Sequence, residues 1–352
     1  MDSRELYPSD EQRRRIMDFI MAAGETLLEN GAEVFRVEQT MEIMARSFHL
    51  REFHVYVLTN GIFASAGTAE IAEVRNVPVR TTHLGRVAAV NALSRKIAAG
   101  GVTLDEAECR LAEARRIPFP KGKTQLLAGM SGTACFALIF GGTIRSALAA
   151  AASVSFCAGR LPLRHHPDDR RPAHRGQHRH RHRPCSEPYF SADGGDGGMM
   201  TLTSTQIGQL VAQFFLAGAG TLSFAILFAC PKRTLPCCAL VGAVGWFVYE
   251  LAVLYGADTA AAALIAVIPL SLAARICAVL LKTPVTVFLL TGIFPLVPGA
   301  GIYYTAYYFI QGENALSLAN GISTFKVAVS LAVGIALVLG LPMPKGHRWK
   351  SK

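Results

Sequence analysis

Glu250 and Lys326 are two ionisable side chains inside long apolar runs, and between them in sequence lies GIFPLVPGAGIYY (292–304). A buried ion in lipid is costly and is retained where it meets a partner, a cargo or a wet cavity. Proline removes a helix hydrogen bond and clashes with the turn before it, so Pro295 and Pro298 break or kink this run. Non-helical backbone at membrane depth persists only where it is buried in protein or lines a cavity. Gly299 and Gly301 follow the break. In secondary transporters, half-helix ends at such a break point at the cargo. Glu250, Lys326, Pro295, Pro298, Gly299 and Gly301 are therefore the candidate substrate-binding residues. Counted from the ends of their helices at about 1.5 Å per residue, Glu250 and Lys326 lie roughly 21–22 Å deep and Pro295 roughly 17 Å deep.

A second candidate is RLPLRHHPDDRRPAHRGQHRHRHRP (160–184), which holds eight Arg, six His and two Asp. Imidazoles ligate metals, but interleaved arginines repel a cation. An arm for phosphates or anionic lipid is the alternative chemistry. A third reading is that 146–198 is translated out of frame. A shifted frame through GC-rich membrane codons turns Leu, Ala and Val runs into Arg, His, Pro and Gly. GGDGGMM (194–200) would then mark a ribosome-binding site before a second start, leaving 199–352 as a second-half protein in its own right. No metal and no nucleic acid is expected as a partner.

The elements that must hold the first constellation are membrane spans. Only eight charged residues lie between Thr203 and Pro344. A span needs about 20 apolar residues. Candidates are Gln125–Gly142, Ile207–Ala229, Pro236–Gly256, Thr259–Leu281, Pro284–Ile310 and Ala319–Leu341. Lys232, Arg233, Lys282 and the tail KGHRWKSK fall on one side of the last five, with Asp258 and Glu313 on the other. The positive-inside rule makes the first side cytoplasmic.

Residues 1–123 are charge-rich and carry no leader-like apolar segment after the polar Met1–Arg15. Apolar spacing predicts a helix over 10–30, stopped at Asn30-Gly31, and another over 32–48. HVYVLTNGIFASAG predicts a strand pair about Asn60-Gly61, and VRNVPVRTT (74–82) a further strand. Helices follow at 84–99 and 104–114, the second capped by Thr103 with Glu106 three residues on. This is an α/β or α+β module. It shows no phosphate loop, no G-x-S-x-G elbow and no H-E-x-x-H, so no enzyme is expected. Met130-Ser131-Gly132 lies in an apolar helix, and His49 and His54 read as ordinary histidines. Arg36, Glu38, Arg80 and Arg86 read as solvated helix faces. The cysteines fall mostly in apolar segments and read as small hydrophobes.

GTACFALIF (132–140) returns as GTLSFAILF (220–228), 88 residues later. A repeat on this scale predicts two related membrane halves. With LLENGAEVFRVEQTMEIMARSF, THLGRVAAVNALSRKI, FALIFGG, SFAILFACPKRTLPCCALVGAVGWFVYE and LKTPVTVFLLTGIFPLVPGAGIYY, the chain resembles the threonine/serine exporter family. The resemblance implies a soluble N-terminal domain before two membrane halves, and export of threonine and serine. Two-component members imply dicarboxylates such as succinate as alternative cargo. By position it carries over Thr283-Pro284 and the break at Pro295, Pro298, Gly299 and Gly301. Glu250 and Lys326 rest on the depth argument alone. The first half departs from the family pattern after Gly142.

These readings give an α-helical multi-pass membrane protein with an N-terminal soluble domain. Residues 1–123 are the cytoplasmic domain and 124–145 the start of the first membrane half. Residues 146–198 are anomalous, 199–343 form a second half of about five spans, and 344–352 are a basic cytoplasmic tail. Expected partners are a small-molecule substrate, a coupling proton, the bilayer of a bacterial inner membrane, and an intact first half or a second copy; no cofactor is expected. The alternative class is a regulatory or hydrolase-like domain that the rear merely anchors. If 146–198 is out of frame, the underlying DNA read in its other frames contains an uninterrupted membrane segment; its absence there removes that reading.

Overall fold

The computed structural model describes residues 9–67, 71–78, 81–160 and 203–341. Helix α1 (Asp10–Glu29) opens with a capping box, in which Ser9 and Gln12 satisfy each other's backbone amides. It stops as expected at Asn30, followed by Gly31 at φ 89°. Helix α2 (Val34–Ser47) leads to three antiparallel strands in order β1 (His54–Leu58), β2 (Gly61–Ala66) and β3 (Ile71–Asn76). The hairpin turns at Thr59-Asn60, with Leu58 opposite Gly61. The third strand comes earlier than VRNVPVRTT suggests. Asn76 pairs with Gly61, where β2 begins, and Pro78 has no amide to extend the ladder. Helices α3 (Leu84–Ala98) and α4 (Leu104–Arg115) complete the module, α4 capped by Thr103 as the sequence predicts. Met17, Ile20, Leu27, Met41, Met44, Ile62 and Val90 lie at the centre of its core.

The second core is helical. Helices α5 (Gly122–Ile139) and α6 (Ile144–Arg160) form an antiparallel pair, with Thr133 Oγ1 donating to the Ala150 carbonyl and Gly129 packed on Val154. Among the described residues four helices are long and apolar enough to cross a membrane: α7 (Ser204–Leu227), α8 (Leu235–Leu254, with the turn Lys232–Thr234 leading in), α9 (Thr259–Leu281) and α12 (Asn314–Gly340). A fifth span is the bent pair α10 (Val285–Gly292) and α11 (Gly299–Ile310). The chain is thus a helical multi-pass membrane protein with an N-terminal α/β part. The expected span at Gln125–Gly142 is helix α5, which lies outside this set of helices because Lys123, Thr124 and Gln125 occupy its opening turn.

Contacts fix the directions of the helices. Along α5, residues 131 and 139 meet residues 223 and 213 of α7, so α5 and α7 are antiparallel. The near end of α7, its C-terminus, touches α3 of the soluble module. Arg160 therefore ends on the module's side and Ser204 begins on the far side; the Arg/His tract between them lies outside the described residues. From α7 onward the spans alternate. The loops holding Lys232, Arg233 and Lys282 lie on the module's side, as the charge pattern predicts.

The repeated motif explains the α5–α7 contact. A side chain on Gly132 would come within 3.1 Å of Ser223, and one on Gly220 within 3.0 Å of Phe136 and 3.5 Å of Cys135. Since 132 matches 220 and 135 matches 223, each copy's glycine receives the other copy's fourth position. Phe136 and Phe224, matched positions, meet edge to face at 5.4 Å. Side chains lean toward the N-terminus of their own helix, so in an antiparallel pair these two lean toward each other. Two copies of one motif pack about a pseudo-twofold axis lying across the helices.

The copies also share their ends. Gly141 and Gly142 donate to Leu138 and Ala137, and Ala229 and Cys230 donate to Ile226 and Ala225 in the same pattern. This is a Schellman cap, whose turning residue is left-handed. Gly141 sits at φ 78°, while the second copy puts Ala229 there at φ 50°. We expect Gly141→Ala to lower the stability of the detergent-solubilised chain by about 1 kcal/mol. Ala229→Gly is expected to leave it unchanged or raise it, read by thermal unfolding.

Candidate functional site

The broken span is built by its prolines. Pro295 has no amide for the Thr291 carbonyl, and Pro298 none for that of Phe294. Helix α10 ends at Gly292, and a tight 3-10 turn, Phe294–Leu296, takes over. There Leu296 donates to Ile293 at 2.8 Å and Val297 to Phe294 at 3.3 Å. Val297 is extended, the Gly299 amide folds back to the Val297 carbonyl at 2.7 Å, and α11 leaves at an angle of 48° to the first segment. The break expected at PLVPG is present, at the expected residues.

The turn is held from two sides. Phe294 stacks on Phe224 of α7 at 4.0 Å and 14°, so the motif residue that meets Phe136 also carries the break. On α8, Val241 lies 2.6 Å from where a side chain on Gly292 would begin, and Cys238 donates to the Val287 carbonyl at 3.7 Å. Pro295 and Leu296 are buried, Pro298 is half-buried and Gly299 is exposed. Gly301 lets α11 close on α12, since an added Cβ would sit 2.2 Å from Thr324 Oγ1. Among the described residues nothing stands within 4 Å of where a side chain on Gly299 would begin, so its place in the site does not rest on close packing there.

Chemically, the break sets two helix ends near one another. The C-terminal carbonyls of α10 carry partial negative charge, and the first amides of α11 carry partial positive charge. Thr291 is buried and its hydroxyl turns back to Val287 at 2.9 Å. Such an arrangement suits an ammonium at one end and a carboxylate at the other.

Glu250 is half-buried on α8 and Lys326 exposed on α12; no ion pair joins them among the described residues. Gly245 of α8 abuts Leu270 of α9, and Val267 of α9 abuts Gly334 of α12. Counted outward from those contacts, Lys326 comes out roughly 9 Å nearer the far end than Glu250, at about 1.5 Å per residue. The helix ends do not lie in one plane. Arg275 donates to the Val338 and Leu341 carbonyls and closes α12 short of the near end of α9.

Sequence reasoning missed several contributors. Gln213 links α5 and α8, receiving the Trp246 indole N–H at 3.0 Å and donating to the Ile139 carbonyl at 3.5 Å. Thr221, the motif's second residue, is fully buried against Gly242, and its hydroxyl has no hydrogen-bond partner among the described residues. The glycine-threonine start of each repeat was the only signal for it. In the soluble module, Arg36 pairs with Glu33, Glu38 accepts from the Val57 amide, and Arg86 donates to the Ile117 carbonyl. These three do not form one cluster, and Arg80 lies outside the described residues. His49 lines an open hollow of about 600 Å³ with Glu42, Arg46 and Glu52.

Comparison with known proteins decides the family. The family model described as Threonine/Serine exporter, ThrE matches residues 213–340, and a further threonine/serine exporter model matches 18–166. The chain belongs to the threonine/serine exporter family. Among curated relatives of this exporter family, the "Probable threonine/serine exporter" of Mycobacterium tuberculosis is 28% identical over 139 residues, covering 38% of this chain and 26% of that protein. The match thus spans about a quarter of that relative's length. No solved structure matches. The exporter match to residue 166 takes in α6, so the family likeness of the first half runs past Gly142 and ends inside the Arg/His tract.

Two glycines of the break separate close packing from mere flexibility. Gly301→Val is expected to cost about 1–3 kcal/mol through the clash with Thr324. Gly299→Ala should stay within about 0.5 kcal/mol. Thermal unfolding of the purified chain checks both.

Proposed function

We propose that this chain is a threonine/serine exporter, or the part of one that holds the substrate, working by alternating access. The observation that carries the reading is the broken span, whose opposed helix ends match a zwitterionic amino acid. The antiparallel packing of the two motif copies supports it, because inverted repeats can exchange conformations across a membrane. Glu250 and Lys326 enter the proposal as separate contacts to the cargo or to a coupling proton, not as a pair. The module's side is the cytoplasm of a bacterial inner membrane, as the basic loops there indicate. An intact first half or a second copy would complete the first membrane half. A dicarboxylate is the second reading, supported by Lys326 and the α11 N-terminus.

Efflux of labelled threonine, serine and succinate from cells expressing the chain, with and without an intact first half, tests this. Threonine and serine efflux should exceed that of control cells. Pro295→Ala with Pro298→Ala, which restores both amides, should lower it about tenfold, the equivalent of about 1.4 kcal/mol. Glu250→Gln and Lys326→Ala should each lower it too. Native efflux in the proline variant would remove the site, and efflux of succinate alone would favour the second reading.

A further inference from the structure

Helix α3 of the soluble module makes contacts that the site does not explain. Its first two amides, Leu84 and Gly85, donate to the carbonyls of Phe228 and Ala229 at 3.0 and 2.9 Å. A helix start leaves amides unpaired and a helix end leaves carbonyls unpaired, so the two ends satisfy each other with dipoles head to tail. Leu84 is 1% exposed and belongs to the membrane core, not to the module's own. A Cβ on Gly85 would stand 2.8 Å from the Ala229 carbonyl oxygen, so only glycine permits this approach.

The same helix grips two further segments. Near its C-terminus, Arg95 donates to the carbonyl of Lys282, two residues before Pro284 and the foot of α10. At its start, Arg86 donates twice to the Ile117 carbonyl, while buried His83 caps α3 through Nδ1 at 3.1 Å and meets the Phe119 ring at 4.6 Å. Burial lowers the His83 pKa, which keeps the ring able to accept that bond. Ile117–Phe119 lead into α5. One helix thus joins the root of α5, the end of α7 and the foot of the broken span.

We propose that α3 is a latch on the module's side of the transporter: docked, it holds the end of α7 and the foot of α10 together, and substrate passage on that side requires it to release. The reason is geometric. Any outward swing of α10 about the break moves Lys282 away from Arg95. Any tilt of α7 pulls Phe228 and Ala229 off the α3 amides. The latch rests on the exporter reading above, and its test separates the two.

Cys230, 9% exposed and next to Ala229, reports the docked state. In vesicles carrying the full chain, alkylation of Cys230 by N-ethylmaleimide is followed by mass spectrometry. Gly85→Ala and Arg95→Ala should each raise its rate about fivefold, the effect of losing one net hydrogen bond. In a Cys230→Ala background, Leu84→Cys with Ala229→Cys, oxidised to a disulfide, should stop threonine and serine efflux, and dithiothreitol should restore it. Unchanged alkylation in both variants, or native efflux with the disulfide closed, overturns the latch. If native chains show no efflux while the variants still expose Cys230, the docked contact stands and the exporter reading falls.

Discussion

In lipid every backbone amide and carbonyl must find its partner within the protein, and this rule organises the molecule at three places. At the near end of α7, the carbonyls of Phe228 and Ala229 are met by amides of a helix from the soluble module. At the near end of α12, the carbonyls of Val338 and Leu341 are met by Arg275. At the break, Pro295 and Pro298 withdraw two amides, and a 3-10 turn re-pairs part of what is lost. The first two places close the bundle. Only at the third do helix ends face one another within a span, which is why a cargo site is proposed there.

The break does not stand alone. Phe294 rests on Phe224, Phe224 meets Phe136, and Phe136 belongs to the other copy of the repeat. The pseudo-twofold contact of α5 and α7 is therefore the floor on which the broken turn sits. Gly132 and Gly220 let the two helices approach closely at that floor. A larger residue at either would separate α5 from α7 and withdraw support from Phe294, although neither glycine touches the break.

What was legible in the sequence was what is decided locally. Proline chemistry locates the break to the residue, and Asn30-Gly31 and Thr103 with Glu106 locate helix ends, because each acts within one turn. The strand at Ile71–Asn76 was placed too late, since its limits come from pairing with β2 rather than from its own residues. The repeat was visible as an echo, but its antiparallel packing depends on where each copy enters the bundle. Depth counted from helix ends put Glu250 beside Lys326. That count takes all spans to start in one plane, and the contacts through Leu270, Val267 and Gly334 show offset helices. The docking of Leu84 on Phe228 joins positions 144 apart in sequence, and no local pattern announces it.

The two Schellman caps expose an asymmetry that the repeat alone would not. They occupy matched positions of the repeat and share one hydrogen-bond pattern, yet one closes α5 on the far side and the other closes α7 against the soluble module. Around Gly141 nothing among the described residues lies within 4 Å of where a side chain would begin, whereas the α7 cap is seated on α3 and carries a left-handed alanine. A left-handed alanine costs more than a glycine, roughly 1–2 kcal/mol. That strain is tolerable where a neighbouring helix over-determines the turn, and α3 is that neighbour. An inverted repeat treats the two sides of a membrane alike; the soluble domain makes them unequal by holding one cap and leaving its counterpart open among the described residues. In the proposed exporter, any preference for one side would therefore have to come from outside the repeat, and the α3 contact is the asymmetry available for it.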